Sequence, residues 1–453
     1  MRTGVTATAV TSIVLLVAGT SLGTTIRVPS EQPTIQEGIE AASGGDTVLV
    51  APNTYYGVLN QNLDFGGVSM VLKSEGGADV TAICPSSAGR GFYFGTDEDT
   101  TLVIDGFTIV NAAADSGAGA FCVRGASPKF MNCRFVANDA TTRGGGFAGV
   151  GSSAILYHCV FEDNGVYGAQ YAYGGALACM GYSDLKVIGC DFVDNTSDGF
   201  GGAVYCHLSD PFFSACTFDG NTANSSGGGA MFCGVFSSPT ISWCTFVDNS
   251  GPSGGAIYTQ SSPLTVTSCT FDGNVASAAG GAIRFLYASS NGTVSGCTFT
   301  DNWSPMGGAV ACALDADAQF VDCTLVSNSG ASSGSGFHCN DASPTVTNCI
   351  IAFADMGEAA GCSMGTETPV FDYCILYANG GGDGLCGAVG DTMHRDPRFC
   401  DMSAGDYSLC SNSPAIAANN AWGQPVGAFG SGCSDCDSPV ETSTWGSIKA
   451  MYR

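Results

Sequence analysis

The chain has 453 residues, of which only 12% are charged, with 65 glycines, 23 cysteines and a formal net charge of −26. Forty acids against 14 bases repel any polyanion, which excludes nucleic acid as a partner. The length allows a large core, and so many glycines with so few charges suit stacked turns better than helices.

Residues 1–23 read as a secretory signal peptide, with Arg2, an apolar run from Ala9 to Ala18 and small residues around Ser21 and Gly23. No later apolar run reaches the ~18 residues that a membrane helix needs, so the mature chain is expected to lack a transmembrane segment. Residues 24–116 form an N-terminal cap and the first coils. Thr34-Ile-Gln-Glu37 is a capping-box pattern, and Ile35, Ile39 and Ala42 continue on one helical face. Strands are expected at 46–51, 68–74 and 101–110.

Residues 117–385 repeat. A phrase of Cys, any residue, a large apolar residue, two variable residues and Asn recurs as CRFVAN (133–138), CVFEDN (159–164), CDFVDN (190–195), CTFDGN (216–221), CTFVDN (244–249), CTFDGN (269–274), CTFTDN (297–302) and CTLVSN (323–328). A degenerate copy begins at Cys349 and a looser one, CILYAN, spans 374–379. The starting cysteines lie 25 to 31 residues apart. Roughly ten residues ahead of each phrase stands a second one, usually opening on Gly-Gly, such as GGAVYC at 201–206 or GGAMFC at 228–233. A fixed period of this size means a solenoid, in which each repeat buries its apolar face against its neighbours. Short alternating phrases turning on Gly, Pro and Asn predict a parallel β-helix coil with two or three strands. Alternation puts Cys269 and Phe271 inward with Thr270 outward, and pairs Val204 with Cys206 and Met231 with Cys233 on one face. Asn138, Asn164, Asn195, Asn221, Asn249, Asn274, Asn302 and Asn328 are expected to form an inward structural ladder, each amide bonding the one above and below.

One coil breaks rhythm. Most coils hold four to six residues between the ladder Asn and the next Gly-Gly, but the connection from Asn164 to Gly174 holds nine. It carries Tyr167, Tyr171 and Tyr173, with Tyr182 in the same coil and Tyr205 in the next. Insertions in a solenoid map to one edge, and tyrosines offer flat apolar faces with a hydroxyl. These five are the candidate binding residues, expected beside a shallow groove formed with Tyr182 or Tyr205; the competing reading is a self-packed loop. Residues 386–430 read as a C-terminal closing segment and 431–453 as a tail.

The Phe-x-x-Asn and Gly-Gly-Ala-Ile phrases, as at Phe271–Asn274 and Gly254–Ile257, resemble the polymorphic outer membrane protein repeat family of the pectin-lyase-like superfamily. That resemblance implies an all-β, single-stranded, right-handed parallel β-helix with an N-terminal capping helix and a C-terminal cap. It also implies an exported, adhesin-like protein of a bacterial surface. The opening segment resembles the start of pectin-lyase-like proteins, where a short helix plugs the first coil. The segment after Asn379 is too short for the membrane barrel that ends many family members.

Of the 23 cysteines, ten begin the Asn phrases and seven end the Gly-Gly phrases, leaving six in the caps. Export favours disulfides, whereas inward placement favours buried thiols, so a mixture of both is expected. The pair Cys433-x-x-Cys436 reads as a local disulfide.

Enzyme signatures are scarce. A polysaccharide lyase needs clustered carboxylates and a base, and between 117 and 380 the only Lys and Arg are Arg124, Lys129, Arg134, Arg143, Lys186 and Arg284. Arg284 falls on the outer face, where a base could stand. His158, His207, His338 and His394 share no spacing, and three of them adjoin a column cysteine and should point outward. No catalytic or metal-ligating residue is assigned and no cofactor is expected. The outward Asp163, Asp194, Asp248 and Asp301 could recruit calcium if stacked, but no calcium motif supports it. The residues therefore favour a secreted or cell-surface scaffold, associated with the outer membrane or free, that binds glycans or surface proteins without catalysis. The alternative is a polysaccharide lyase or glycoside hydrolase on the same fold.

Overall fold

The computed structural model describes residues 23–86, 89–168, 171–363 and 368–436. The signal segment before Gly23, residues 169 and 170 of the tyrosine loop and the tail from 437 onward lie outside the described residues.

Each regular coil visits four faces rather than two or three. In one coil the strands are Phe212–Ser214, Thr217–Asp219, Thr222–Ala223 and Met231–Cys233. The extra face arises because the residues between the ladder Asn and the Gly-Gly pair form a short strand of their own. Every strand pairs in parallel with its counterparts in adjacent coils, giving a first, second, third and fourth sheet of 15, 14, 9 and 11 strands. The register keeps equivalent residues level, so that Phe192 faces Phe218 and Phe218 faces Phe246. The whole is a right-handed parallel β-helix. Its corners use the left-handed backbone region, at Ala215 (φ 53°) between the first and second faces and at Asp248 (φ 52°) between the second and third. At the Gly-Gly corner, a Cβ on Gly201 would meet the Val204 carbonyl oxygen at 2.0 Å, so only glycine fits.

The inside of the coil is a set of columns. Phe135, Phe161, Phe192, Phe218, Phe246, Phe271 and Phe299 stack face to face, with centroids 4.6–4.9 Å apart and rings within 5° of parallel. Beside them the asparagines run from Asn138 to Asn328, all buried. Asn221 shows the pattern. Its Nδ2 donates to the Phe192 carbonyl of the preceding coil (2.9 Å) and to Asn249 Oδ1 of the next (2.9 Å). Its Oδ1 accepts from the backbone N–H and the Nδ2 of Asn195. Each amide therefore uses both donors and both acceptor lone pairs, which removes the cost of burying it. The ladder stops where Ala354 replaces Asn, and there Asn328 Nδ2 turns back to its own Val326 carbonyl.

The column cysteines are a third ladder. The backbone N–H of Cys216, Cys244 and Cys269 each donates to the sulfur of the next coil's cysteine at 3.4 Å, and each of those thiols donates to a carbonyl. Seventeen thiols are free and buried, and the remaining six form Cys362–Cys386, Cys400–Cys433 and Cys410–Cys436. Cys433 and Cys436 thus do not bridge each other. The three-stranded sheet of Phe399–Asp401, Asp406–Cys410 and Ser431–Cys433 gathers the sulfurs of Cys400, Cys410 and Cys433 within 4.8 Å, so partners across that sheet outcompete the local one.

Both ends are closed. Thr34 caps the helix Ile35–Ala41 by accepting the Glu37 N–H, and Ile35 and Ile39 are buried. A Cβ on Gly38 would strike Val28 and Val48, so the helix lies close on the first coils. The stretch 101–110 becomes two strands, Val103–Asp105 and Thr108–Val110, bent at Gly106 (φ 81°). At the other end, strands Ala388–Val389 and Thr392–Met393 complete the last coil. The chain then reverses and lies along the outside of the second face. Phe399, Leu409, Ala415 and Val426 cover the outward Val326, Ile350, Ala352 and Ile375, and Gly427 N–H donates to the Asn348 carbonyl (2.7 Å). We call residues 394–436 the strap.

Removing one rung of the amide ladder should be costly. Asn249→Ala leaves the Asn221 backbone N–H and one of its Nδ2 hydrogens without an acceptor and is expected to lower unfolding free energy by about 3 kcal/mol in urea titrations. Asp248→Asn, one residue away but exposed, should change it by less than about 0.5 kcal/mol. The thiols make a second expectation. Burial pushes Cys339 and Cys374 up to about 12, from an ordinary thiol value near 9. The protonated native thiol is therefore favoured, and its stabilisation is intact below pH ~9 and lost as pH rises toward ~12, while the unfolded chain ionises. Urea midpoints should hold steady from pH 7 to ~8.5 and fall progressively above ~9; a flat alkaline limb would contradict the burial.

Candidate functional site

The five candidate tyrosines separate in the structure. Tyr171, Tyr173 and Tyr205 form one run of rings, with Tyr171 and Tyr173 centroids 6.4 Å apart and Tyr173 and Tyr205 4.4 Å apart. The run continues through Phe200 and Phe232 to Tyr258 on the outside of the fourth face. This makes Tyr205 only 7% exposed, so it supports the loop from beneath and offers no surface of its own. Tyr167 is exposed at the third-face edge, where burial of part of its ring and then Asp139, Asp198 and Asp163 raise its hydroxyl. Tyr182 stands 77% exposed at a different corner, between the fourth and first faces. Of the two partners expected for a groove beside this loop, Tyr205 thus lies beneath it and Tyr182 at another corner.

The outward basic residues are also committed. Arg284 donates to Ser253 Oγ (2.6 Å) and lies over the Tyr258 ring at 5.6 Å. His338 occupies an outward strand position yet is 4% exposed, with Nδ1 against Ser333 Oγ (3.0 Å) and Nε2 against Ser363 Oγ (3.1 Å). Burial, reinforced by Arg284, lowers its pKa and keeps the imidazole neutral. His338 is therefore buried where the alternation reading placed it in solvent, held between the Ser333 and Ser363 hydroxyls.

A cleft of about 910 Å³ lies on the other side of the coil, where the strap stands off the second and third faces. The coil contributes Thr270, Asp272, Thr298, Thr300, Asp301, Trp303 and Asp355, and the strap contributes Met402, Ser403, Tyr407 and Phe429. The strand registers put Thr270 level with Thr298 and Asp272 level with Thr300, a lattice of outward polar side chains one coil apart. Thr300 Oγ1 donates to Asp272 Oδ1 at 2.6 Å. Trp303 begins the third-face strand Trp303–Met306 and presents part of its ring. Tyr407 is held opposite by the three-stranded sheet of the strap. Burial, then the charges of Asp301 and Asp272, push its hydroxyl up to about 12, so it stays a hydrogen-bond donor across the working pH range. Among the described residues, no Lys, Arg or His lines the cleft. Such walls can stack a flat apolar ring on Trp303 and hydrogen-bond hydroxyls, but they carry no cationic base.

Sequence reading missed this cleft. The signal was the change on outward second-face positions, from Thr270 and Asp272 to Val326, Ile350, Ala352 and Ile375, which marks a covered stretch beginning beside an uncovered one. It also missed a serine ladder at the fourth-to-first corner. Backbone N–H groups of Ser152, Ser183 and Ser209 donate to the hydroxyls of Ser183, Ser209 and Ser237 in the next coils.

Residues 203–332 match the family model of the right handed beta helix region, and residues 189–207 match the Chlamydia polymorphic membrane protein repeat. The chain is a right-handed β-helix with one stretch similar to the polymorphic membrane protein repeat. In Dictyostelium discoideum, metabotropic glutamate receptor-like protein R is 36% identical over 137 residues, 30% of this chain and 8% of that protein. Metabotropic glutamate receptor-like protein P is 37% identical over 107 residues, 23% of this chain and again 8% of that protein. The chain thus matches less than a tenth of either relative. Among solved structures, a mutant of the PL6 family alginate lyase AlyGC superposes with a TM-score of 0.55 at 11% identity, over 89% of this chain and 56% of that one. That likeness is one of fold, on which unrelated functions are built. Among the described residues, no helix is long and apolar enough to cross a membrane.

The strap should be separable from the coil. Mild thiol reduction of the native protein is expected to expose at most the six disulfide cysteines and to open residues 394–436 to protease, leaving the 17 buried thiols unreactive until denaturant is added. Release of column thiols at the same rate would show that the coil depends on the bridges.

Proposed function

We propose that this protein is an exported, cell-surface or secreted scaffold that binds neutral glycan chains, without catalysis, in the cleft between the coil and the strap. The observation that carries this reading is the wall chemistry: Trp303 and Tyr407 face a lattice of threonine hydroxyls and carboxylates, with no cationic residue among the described residues. Aromatic faces with hydroxyl partners fit sugar rings. Asp272, Asp301 and Asp355, within a chain of net charge −26, disfavour uronic-acid polymers. The signal-like N-terminus and the polymorphic membrane protein repeat support surface display.

One observation favours a second reading. Asp272 and Asp301 both bear on the Tyr407 hydroxyl, and two neighbouring carboxylates are the minimum for hydrolysing a glycosidic bond. A lyase has less support, because the cleft holds no base to take the sugar proton.

The discriminating experiment titrates purified protein with neutral β-linked oligosaccharides, alginate and polygalacturonate, while assaying reducing and unsaturated ends. The expected result is binding of a neutral oligosaccharide with no new ends, and about a tenfold loss of affinity in Trp303→Ala at unchanged Tm. Reducing ends that disappear in Asp272→Asn would establish the hydrolase instead. Tight binding of alginate would reject both readings.

A further inference from the structure

The corner between the fourth and first faces carries side chains that its backbone does not favour. Six consecutive coils place Tyr182, Leu208, Phe236, Ser261, Tyr287 and Leu314 there, all with positive φ, between 52° and 74°. Backbone bonds tie the row together, from Tyr182 N–H to the Leu208 carbonyl and from Phe236 N–H to the Ser261 carbonyl. Bulky residues in the left-handed region are strained, and Gly, Asn, Asp or Ser are the usual occupants. At the corner between the second and third faces, Asp163, Asp194, Gly220, Asp248, Gly273, Asp301 and Ser327 obey that preference, Ala137 and Ala378 are small, and the bulky Phe353 is packed under the strap. The flanking coils of the fourth-to-first corner obey it too, at Gly151 and Asp341. Of the six coils between, the one at Ser261 keeps a usual occupant and Leu208 is half-buried, but the other four hold large apolar groups in solvent, with Tyr182 77% and Phe236 72% exposed and Tyr287 and Leu314 also exposed. Neither folding nor solubility accounts for them, and strain maintained at an exposed site marks interaction.

Charge selects the occupant. The same corner loops carry exposed Asp184, Asp210, Asp315 and Asp317 against a single basic residue, Lys186. Asp184 and Asp210 are fixed along the row, since the Asp184 carboxylate accepts the Asp210 N–H and the Asp210 carboxylate accepts the Ser238 N–H. A second copy of this chain would bring like charges together, and an anionic bilayer would be repelled. A polypeptide with alternating apolar and basic side chains matches both features. At ~4.8 Å per coil the ridge is about 24 Å long, enough for a seven-residue extended segment. We propose that this ridge docks a cationic, apolar-rich polypeptide segment, on the side of the coil opposite the glycan cleft and independently of it. Side chains standing proud of a convex ridge fill pockets in such a partner, where aromatic anchors carry most of the affinity.

The test uses the full chain and a labelled peptide of alternating Lys and Leu, with Lys-Ser and Glu-Leu peptides as controls, followed by fluorescence anisotropy. The Lys-Leu peptide is expected to bind, and the variant Tyr182→Asn, Phe236→Asn, Tyr287→Asn to lose about tenfold or more in affinity. Because Asn suits the left-handed backbone, the same variant should hold or raise its Tm, which a structural role for these side chains would not allow. Asp184→Asn with Asp210→Asn should weaken binding and flatten its salt dependence while the apolar ridge stays intact. Equal affinity in the Asn variant overturns the proposal, as does a lower Tm or equally tight binding of the Glu-Leu peptide. Flotation with phosphatidylcholine vesicles that the Asn variant abolishes would assign the ridge to a membrane, and a dimer so abolished would assign it to self-association. Either result overturns the proposal too.

Discussion

Parallel stacking at one coil spacing is the constraint on which everything else rests. Whatever side chain points inward meets a copy of itself about 4.8 Å above and below, so only residues that satisfy themselves in a column are admissible there. Phenylalanine does this by stacking, asparagine by a closed set of amide bonds, and cysteine by accepting one backbone N–H and donating to one carbonyl. Serine repeats the solution at a fourth position with a single hydroxyl. Each column is a one-dimensional crystal, and a missing member disturbs its neighbours on both sides.

The same constraint explains why most cysteines remain thiols in a chain expected to be exported. Column sulfurs sit where a bridge between coils would be within reach, yet those that begin the Asn phrases already donate to carbonyls, and Cys190, Cys244, Cys269 and Cys297 also accept a buried backbone N–H. Disulfides occur only toward the C-terminal end, where the strap has little core of its own and two bridges hold a three-stranded sheet together. Two of the three bridges lie in the strap, and the third, Cys362–Cys386, ties the last coils together.

With the interior spoken for, binding chemistry is left to the outside, and the outside is not uniform. The second face is polar at Thr270 and Asp272 and apolar from Val326 onward, so the strap covers one part and overhangs the other, making a cleft. The fourth face is sealed in part by its own aromatic stack, which buries Tyr205, and farther along by serines that enclose His338, although both occupy outward positions. The corner beyond it is left bare and apolar.

The period, the inward faces of Cys269 and Phe271, the stacking of Asn195 through Asn328, the Gly-Gly corners and the helix capped by Thr34 were all legible in the chain. Each depends on residues adjacent in sequence or one repeat away, and a repeated local rule needs no knowledge of distant contacts. The count of four faces was less legible, because strands as short as Thr222–Ala223 carry no alternation to read. The course of the strap was not legible at all: Ala428 meets Thr324 across 104 residues, and nothing in a local pattern encodes that return. For the same reason the pairing of Cys433 with Cys400, the burial of Tyr205 and His338, and the cleft itself belong to the tertiary structure. They arise where non-repeating segments meet a repeating surface, and only the folded geometry brings those partners together.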